Sequence, residues 1–126
     1  MQNMYRENVL DHAKNPRYPG VLAPYDIAQD GVNPLCGDHL HLTLRLDENG
    51  QIREIAWDGE GCAISQASAS MLGERVVGKP LNDVVEITPD DVVEMLGVPL
   101  TPNRMKCALL ALNTLNTAIE NWKDEA

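Results

Sequence analysis

The clearest hydrophobic pattern in the chain is a strict alternation between residues 39 and 46. Four leucines lie on one side of this segment, at positions Leu40, Leu42, Leu44 and Leu46. Polar residues lie on the other side, at positions His39, His41, Thr43 and Arg45. A period of two predicts a β-strand with one buried face.

The residues that follow this segment predict a hairpin. Asp47-Glu48-Asn49-Gly50 contains the Asn-Gly pair that is typical of tight hairpin turns. Residues 51–58 are then predicted to return as the partner strand, with Arg53, Ile55 and Trp57 on one side. Ile27 and Val32 are expected in a short strand that precedes the hairpin, which gives a three-stranded antiparallel sheet.

Helical patterns precede and follow the sheet. Residues 2–13 predict a short helix that ends before Pro16. Residues 63–77 are rich in alanine and serine, and their small side chains are expected to allow close packing against the sheet. Thr88-Pro89 and Thr101-Pro102 are helix-start signals. The second opens a long last helix to about Lys123, whose apolar stripe is Ala108, Leu112, Leu115, Ile119 and Trp122.

The order of these elements predicts an α+β fold, a small three-stranded antiparallel sheet with helices packed on one face. The 126 residues are expected to form a single domain, residues 1–126. A net charge of −9, from 10 basic and 19 acidic residues, argues against nucleic-acid binding. No signal peptide or membrane span is predicted, and the few unpaired cysteines fit a reducing compartment, so a cytoplasmic location is expected.

Three cysteines carry the most specific chemical signal. Cys36 lies in Asn33-Pro34-Leu35-Cys36-Gly37-Asp38, Cys62 follows Gly59-Glu60-Gly61, and Cys107 follows Lys106. Their wide spacing matches neither a zinc ribbon nor a thioredoxin-like motif. If folding gathers the three thiols, Asp38 could complete a tetrahedral shell for a soft metal ion.

The local contexts favour reactive or metal-binding thiols, although a single cysteine is more often a packing residue. Cys62 is predicted at a helix N-terminus, where backbone N–H groups stabilise a thiolate. Cys107 is predicted near the start of the last helix, flanked by the cations Arg104 and Lys106. These cations are ordinarily solvated, and Asp38 alone is ordinarily a turn residue. His39 is a weaker candidate ligand, because an exposed place on the strand explains it equally well.

Together these motifs resemble the IscU/NifU/SufU family of iron–sulfur cluster assembly proteins. The resemblance spans nearly the whole chain and also includes Tyr5-Arg6-Glu7, Asp11-His12 and Asn15-Pro16-Arg17. The segment after Cys62 and the lysine before Cys107 are similar to the SufU branch. The spacing between Cys62 and Cys107 is that of IscU, and the SufU insertion and the Leu-Pro-Pro-Val-Lys chaperone motif of IscU are both absent.

The resemblance implies a SufE/NifU-like fold and a metal or cluster site formed by Cys36, Asp38, Cys62 and Cys107. The charge of Lys106 could steady a thiolate or a bound anionic cluster at this site. The resemblance also implies a cysteine desulfurase as partner, which passes persulfide sulfur to one of the cysteines. Cys107 is predicted as the first acceptor, with Cys62 close behind. Apo iron–sulfur proteins or carriers would receive the product.

The sequence alone is compatible with three functions. The leading hypothesis is a scaffold for a transient [2Fe–2S] cluster, with Asp38 as the exchangeable ligand. The second is a zinc-dependent sulfurtransferase, in which Zn²⁺ holds the same residues. The third is a structural zinc module, which is disfavoured because structural sites usually have four Cys or His ligands.

Overall fold

The computed structural model describes residues 2–35 and 37–125, with the backbone alone for residues 2 and 3. Its strands are β1 (Ile27–Asn33), β2 (Asp38–Leu46) and β3 (Ile52–Glu60). Its helices are α1 (Gln2–Lys14), α2 (Ala63–Val76), α3 (Leu81–Val84), α4 (Pro89–Leu96) and α5 (Pro102–Glu125). The predicted α+β fold is therefore confirmed.

The three strands form one antiparallel sheet in the order β1-β2-β3. Leu40, Leu42 and Leu44 of β2 are almost completely buried, as the alternating pattern predicts. The central strand thus presents its leucine face to the helices. Asn33 pairs with Asp38 at the β1–β2 end, and this pairing brings Asp38 to the start of the central strand.

A register shift changes the predicted second strand. Arg45 pairs with Glu54, but Leu46 pairs with Ile52, so one extra residue is accommodated in β3. Ile52 is fully buried and Arg53 is exposed. The expectation that Arg53 shares the face of Ile55 and Trp57 is therefore wrong, because the extra residue interrupts the alternation.

Helix α5 lies across β1 and β2. The apolar stripe predicted for this helix is buried from Ala108 to Ile119, and Trp122 is half-buried. Helix α5 approaches β1 closely at Gly31, where an added Cβ would overlap Thr114 Oγ1. Gly31 therefore permits the close packing of α5 on the sheet.

The small residues of α2 mainly pack against other helices. Ser68 Oγ donates a hydrogen bond of 2.6 Å to the carbonyl oxygen of Ala108 in α5. Ser70 Oγ lies 2.7 Å from His12 Nδ1 in α1. The helix also contacts β3, and Ser65 Oγ bonds to Asp38 of β2. The packing against the sheet that the sequence suggested is therefore present beside these contacts with helices.

The helix-start signals operate as predicted. Thr88 and Asp91 form a reciprocal capping box at α4, and Gly97 ends that helix in the left-handed conformation. The short helix α3 was not predicted, because four residues are too few for a periodic pattern.

Over residues 2–35 and 37–125, none of the helices combines the length and the apolar character needed to cross a bilayer.

The Gly31–Thr114 contact generates a first prediction. Gly31→Ala should lower the free energy of unfolding by about 1–3 kcal/mol, because the new methyl group overpacks the α5–β1 interface. Urea denaturation measures this change. Thr114→Ala in the same chain should recover part of the loss, and a Gly31→Ala variant as stable as the parent would contradict the packing described.

The buried His12 generates a second prediction. The side chain is 4% exposed, its Nδ1 faces Ser70 Oγ, and its Nε2 lies 3.2 Å from Glu74 Oε1. Burial lowers the pKa of His12 below its usual 6.5, since desolvation disfavours the imidazolium. The unfolded chain therefore binds this proton more tightly than the folded one, and stability should fall as the pH drops below about 6.5.

Urea denaturation between pH 5 and 8 measures this dependence. His12→Gln should flatten the part of the profile that lies below about pH 6.5. The matched control His41→Gln changes the partly exposed histidine that pairs with Asp30 on the sheet. The same profile in the parent and in His12→Gln would show that His12 makes no contribution to the pH dependence of stability.

Candidate metal centre

The candidate site forms where the start of β2 meets the N-termini of α2 and α5. Asp38 is the first residue of β2, Cys62 is the N-cap residue of α2, and Cys107 lies in the second turn of α5. These positions come from three separate parts of the chain. The site therefore depends on the packing of both helices against the sheet.

The structure brings together three of the four predicted ligands. One carboxylate oxygen of Asp38 and the sulfur atoms of Cys62 and Cys107 all lie within 4.8 Å of one another. Cys36, the fourth, falls outside the described residues. A zinc–sulfur bond is about 2.3 Å long, so two thiolates on one ion are at most about 4.6 Å apart. The three groups thus fit a single metal ion with little movement.

The donor atoms also fit such an ion chemically. Thiolate sulfur suits zinc and iron–sulfur clusters, and a carboxylate oxygen is an accepted zinc ligand. Asp38 and Cys107 are 6% and 5% exposed, whereas Cys62 is half-buried. The site is therefore shielded at its base and more open beside Cys62.

Two hydrogen bonds hold the Asp38 carboxylate at the start of α2. The Cys62 backbone N–H donates to Oδ1 at 3.3 Å, and the Ser65 hydroxyl donates to Oδ2 at 2.6 Å. Gly61 packs directly against this arrangement, since a Cβ there would lie 3.2 Å from Asp38 Cγ and 3.1 Å from Ser65 Cβ. The carboxylate thus has a defined orientation.

Asn33 organises the opposite side of the site. Its side-chain N–H group donates to Cys107 Sγ at 3.9 Å, and its Oδ1 accepts from the Leu35 N–H at 3.2 Å. Its carbonyl oxygen accepts from the N–H of Gly37, which has a φ of +76°. Asn33 therefore links the β1–β2 loop to the thiol of α5.

A surface cavity of about 500 Å³ leads to the two sulfur atoms. Its lining residues are Asn33, Leu35, Cys62, Thr101, Asn103, Arg104 and Cys107. Of the two cations next to Cys107 in the sequence, Arg104 lines this cavity and Lys106 is exposed on α5. His39 is exposed at the second position of β2.

Sequence reasoning assigned no role to Asn33 or Ser65, although both stand in the motifs that it identified. Ser65 lies one helical turn after Cys62, and residues three apart in a helix share a face. That spacing is a signal that could have identified it. The contact of Asn33 with Cys107 joins residues that are distant in the sequence, and no local pattern reports it.

Comparison with known proteins shows the family to which the chain belongs. Residues 4–126 match the model described as "NifU-like N terminal domain". The chain is 36% identical to the zinc-dependent sulfurtransferase SufU of Bacillus subtilis (strain 168), with 94% of this chain and 91% of that protein covered. It is 39% identical to the iron–sulfur cluster assembly scaffold protein IscU of Aquifex aeolicus (strain VF5), with 94% and 75% covered.

A solved structure has the same fold. It is a proposed SUF-system iron–sulfur cluster assembly scaffold protein from Fervidobacterium islandicum AW-1, with a TM-score of 0.79 and 26% identity over 94% of this chain and 99% of that one. The resemblance predicted from the cysteine motifs is confirmed. The chain belongs to the family of NifU-like N-terminal domains, together with proteins named IscU and SufU.

Proposed function

We propose that the protein is an iron–sulfur cluster assembly scaffold that accepts persulfide sulfur from a cysteine desulfurase. The observation that carries this proposal is the convergence of the Asp38 oxygen with the sulfur atoms of Cys62 and Cys107. Cys36 is proposed as the remaining ligand, because it stands two residues before Asp38 in the sequence. The 39% identity to the A. aeolicus scaffold protein supports the same function.

The mixed donor set suits a protein that must release what it assembles. Thiolates bind iron strongly, whereas an oxygen is the weaker ligand in a soft site. Asp38 is therefore the ligand that would leave first when an acceptor protein approaches. The [2Fe–2S] cluster is cargo in this proposal, passed on to an apo iron–sulfur protein or a carrier.

Cys107 is proposed as the first sulfur acceptor, with Cys62 as the second. The Cys107 thiolate would attack the terminal sulfur of the desulfurase persulfide. A new S–S bond would form on Cys107, and the desulfurase thiolate would leave. The Asn33 amide donates to Cys107 Sγ, which stabilises a thiolate there. Arg104 lines the cavity beside it, and exposed Lys106 is proposed to contact an approaching anionic group.

A second candidate function is zinc-dependent sulfur transfer. The observation that favours it is the 36% identity to B. subtilis SufU over 94% of this chain. In that case Asp38, Cys36, Cys62 and Cys107 would hold Zn²⁺, which would keep the thiols deprotonated. The sulfur-accepting step on Cys107 would be the same, and no cluster would be assembled.

Anaerobic reconstitution with iron, cysteine and a cysteine desulfurase tests the scaffold proposal. The parent chain should develop the visible absorbance of an iron–sulfur cluster. Asp38→Ala should make this absorbance persist longer when an apo acceptor is added, because the exchangeable oxygen is lost. Asp58→Ala, which changes an exposed carboxylate of β3, is the matched control and should behave as the parent.

A colourless product that retains zinc alone would contradict the scaffold proposal. If that product also accelerates desulfurase turnover, zinc-dependent sulfur transfer becomes the function.

Mass spectrometry of each cysteine after a single desulfurase turnover tests the sulfur route. The mass of one added sulfur should appear on Cys107 first. Cys107→Ser should abolish most of the transfer, while Cys62→Ser should slow later steps and leave the first one in place. First labelling of Cys62 or Cys36 would show that the proposed order is wrong.

A further inference from the structure

Ser65 lies at the centre of the site, although it is not among the proposed ligands. It is the third residue of α2 and is completely buried. Its hydroxyl oxygen is 2.6 Å from Asp38 Oδ2, 3.3 Å from the Cys107 carbonyl oxygen and 3.7 Å from Cys62 Sγ. One hydroxyl group therefore contacts all three residues of the metal group.

Because the Ser65 hydroxyl has a single proton, it can donate to only one of these neighbours. A serine hydroxyl has one proton to donate and two lone pairs that accept. Asp38 Oδ2 and the Cys107 carbonyl oxygen both need a donor, and the carboxylate lies 0.7 Å nearer than the carbonyl. A short bond to a carboxylate is charge-assisted and the stronger of the two. The Ser65 hydroxyl therefore donates its hydrogen bond to Asp38 Oδ2, and Cys62 Sγ faces the lone pairs of the hydroxyl.

The surroundings confine this pair. A Cβ at Gly61 would make tight contacts of 3.1 Å with Ser65 Cβ and 3.2 Å with Asp38 Cγ, and the Cys62 N–H holds the other carboxylate oxygen. The carboxylate therefore has donors on both oxygens. Loss of the Ser65 bond would remove the 2.6 Å hydrogen bond to Oδ2 and so weaken the constraint on the orientation of the carboxylate.

We propose that Ser65 is a positioning residue of the metal site, which orients the Asp38 carboxylate toward the sulfur atoms of Cys62 and Cys107. This inference rests on the proposed function, because it requires that the site bind a metal ion. Groups that orient a ligand typically contribute 10- to 100-fold in metal affinity. Ser65 thus acts on the metal through Asp38 and does not touch it.

Two measurements on the full chain test whether Ser65 positions Asp38. The first is Zn²⁺ affinity, from competition with a chromogenic chelator. The second is the absorption spectrum of the Co²⁺-loaded protein, in which charge-transfer bands report thiolate ligands and d–d bands report geometry. Ser65→Ala should weaken Zn²⁺ binding about tenfold. It should keep the thiolate bands and shift the d–d bands.

The decisive comparison is made in the absence of Asp38. Asp38→Ala combined with Ser65→Ala should bind Zn²⁺ as weakly as Asp38→Ala alone, because Ser65 acts through that carboxylate. Ser68→Ala is the matched control, since Ser68 is equally buried one turn onward and bonds to Ala108 rather than to the site. Ser68→Ala should bind Zn²⁺ as the parent chain does.

Different outcomes would overturn the two proposals. Parent-like Zn²⁺ binding by Ser65→Ala, or an equal loss with and without Asp38, would overturn the positioning role alone. Absence of thiolate bands in the parent chain, or unchanged binding in Asp38→Ala, would overturn the proposed metal site itself. If Ser65→Ala fails to fold, Gly61→Ala replaces it. The added Cβ would lie 3.1–3.2 Å from the same two residues and push them apart slightly, so it should weaken Zn²⁺ binding only when Asp38 is present.

Discussion

The hydrogen bonds between the Asp38 carboxylate and the start of α2 are the interaction on which the site depends. They join the first residue of the central strand to Cys62 and Ser65, and the Ser65 hydroxyl also lies near the Cys107 carbonyl oxygen of α5. A carboxylate that is only 6% exposed is stable where hydrogen-bond donors replace its lost water. The same bonds that make burial tolerable therefore also assemble the site.

This arrangement meets two requirements of the proposed metal and sulfur chemistry. The base of the site is rigid, because Asp38 is confined by Gly61, Ser65 and the Cys62 N–H. Its outer side is open, because Cys62 is half-buried and the cavity lined by Arg104 reaches both sulfur atoms. In the proposed function, fixed ligands with an accessible side would allow a metal ion or cluster to be bound and released at the same place.

Much of the fold was predictable because its elements have strong local signals. The alternating leucines defined β2, and the Thr88 capping box and Gly97 defined the limits of α4. The register shift beside Leu46 was not predictable, since the local pattern carries no sign of an extra residue in β3. The packing partners of α2 also required the structure, because a helix rich in small residues fits a sheet or another helix.

The grouping of Asp38, Cys62 and Cys107 was predictable from residue types, but the hydrogen bonds that hold it were not. Cys62 and Cys107 were recognisable from the glycines and cations beside them, and Asp38 from its place after a Cys-Gly pair. The roles of Ser65 and Asn33 depend on contacts between distant segments, which only the folded chain shows.

X-ray absorption at the zinc edge of the Zn²⁺-loaded protein tests the central claim most directly. The account predicts a first shell of sulfur at about 2.3 Å with one oxygen at about 2.0–2.2 Å. The oxygen should be lost in Asp38→Ala, and one sulfur should be lost in Cys62→Ser and in Cys107→Ser. A shell of oxygen and nitrogen alone, or one that these substitutions leave unchanged, would contradict the account.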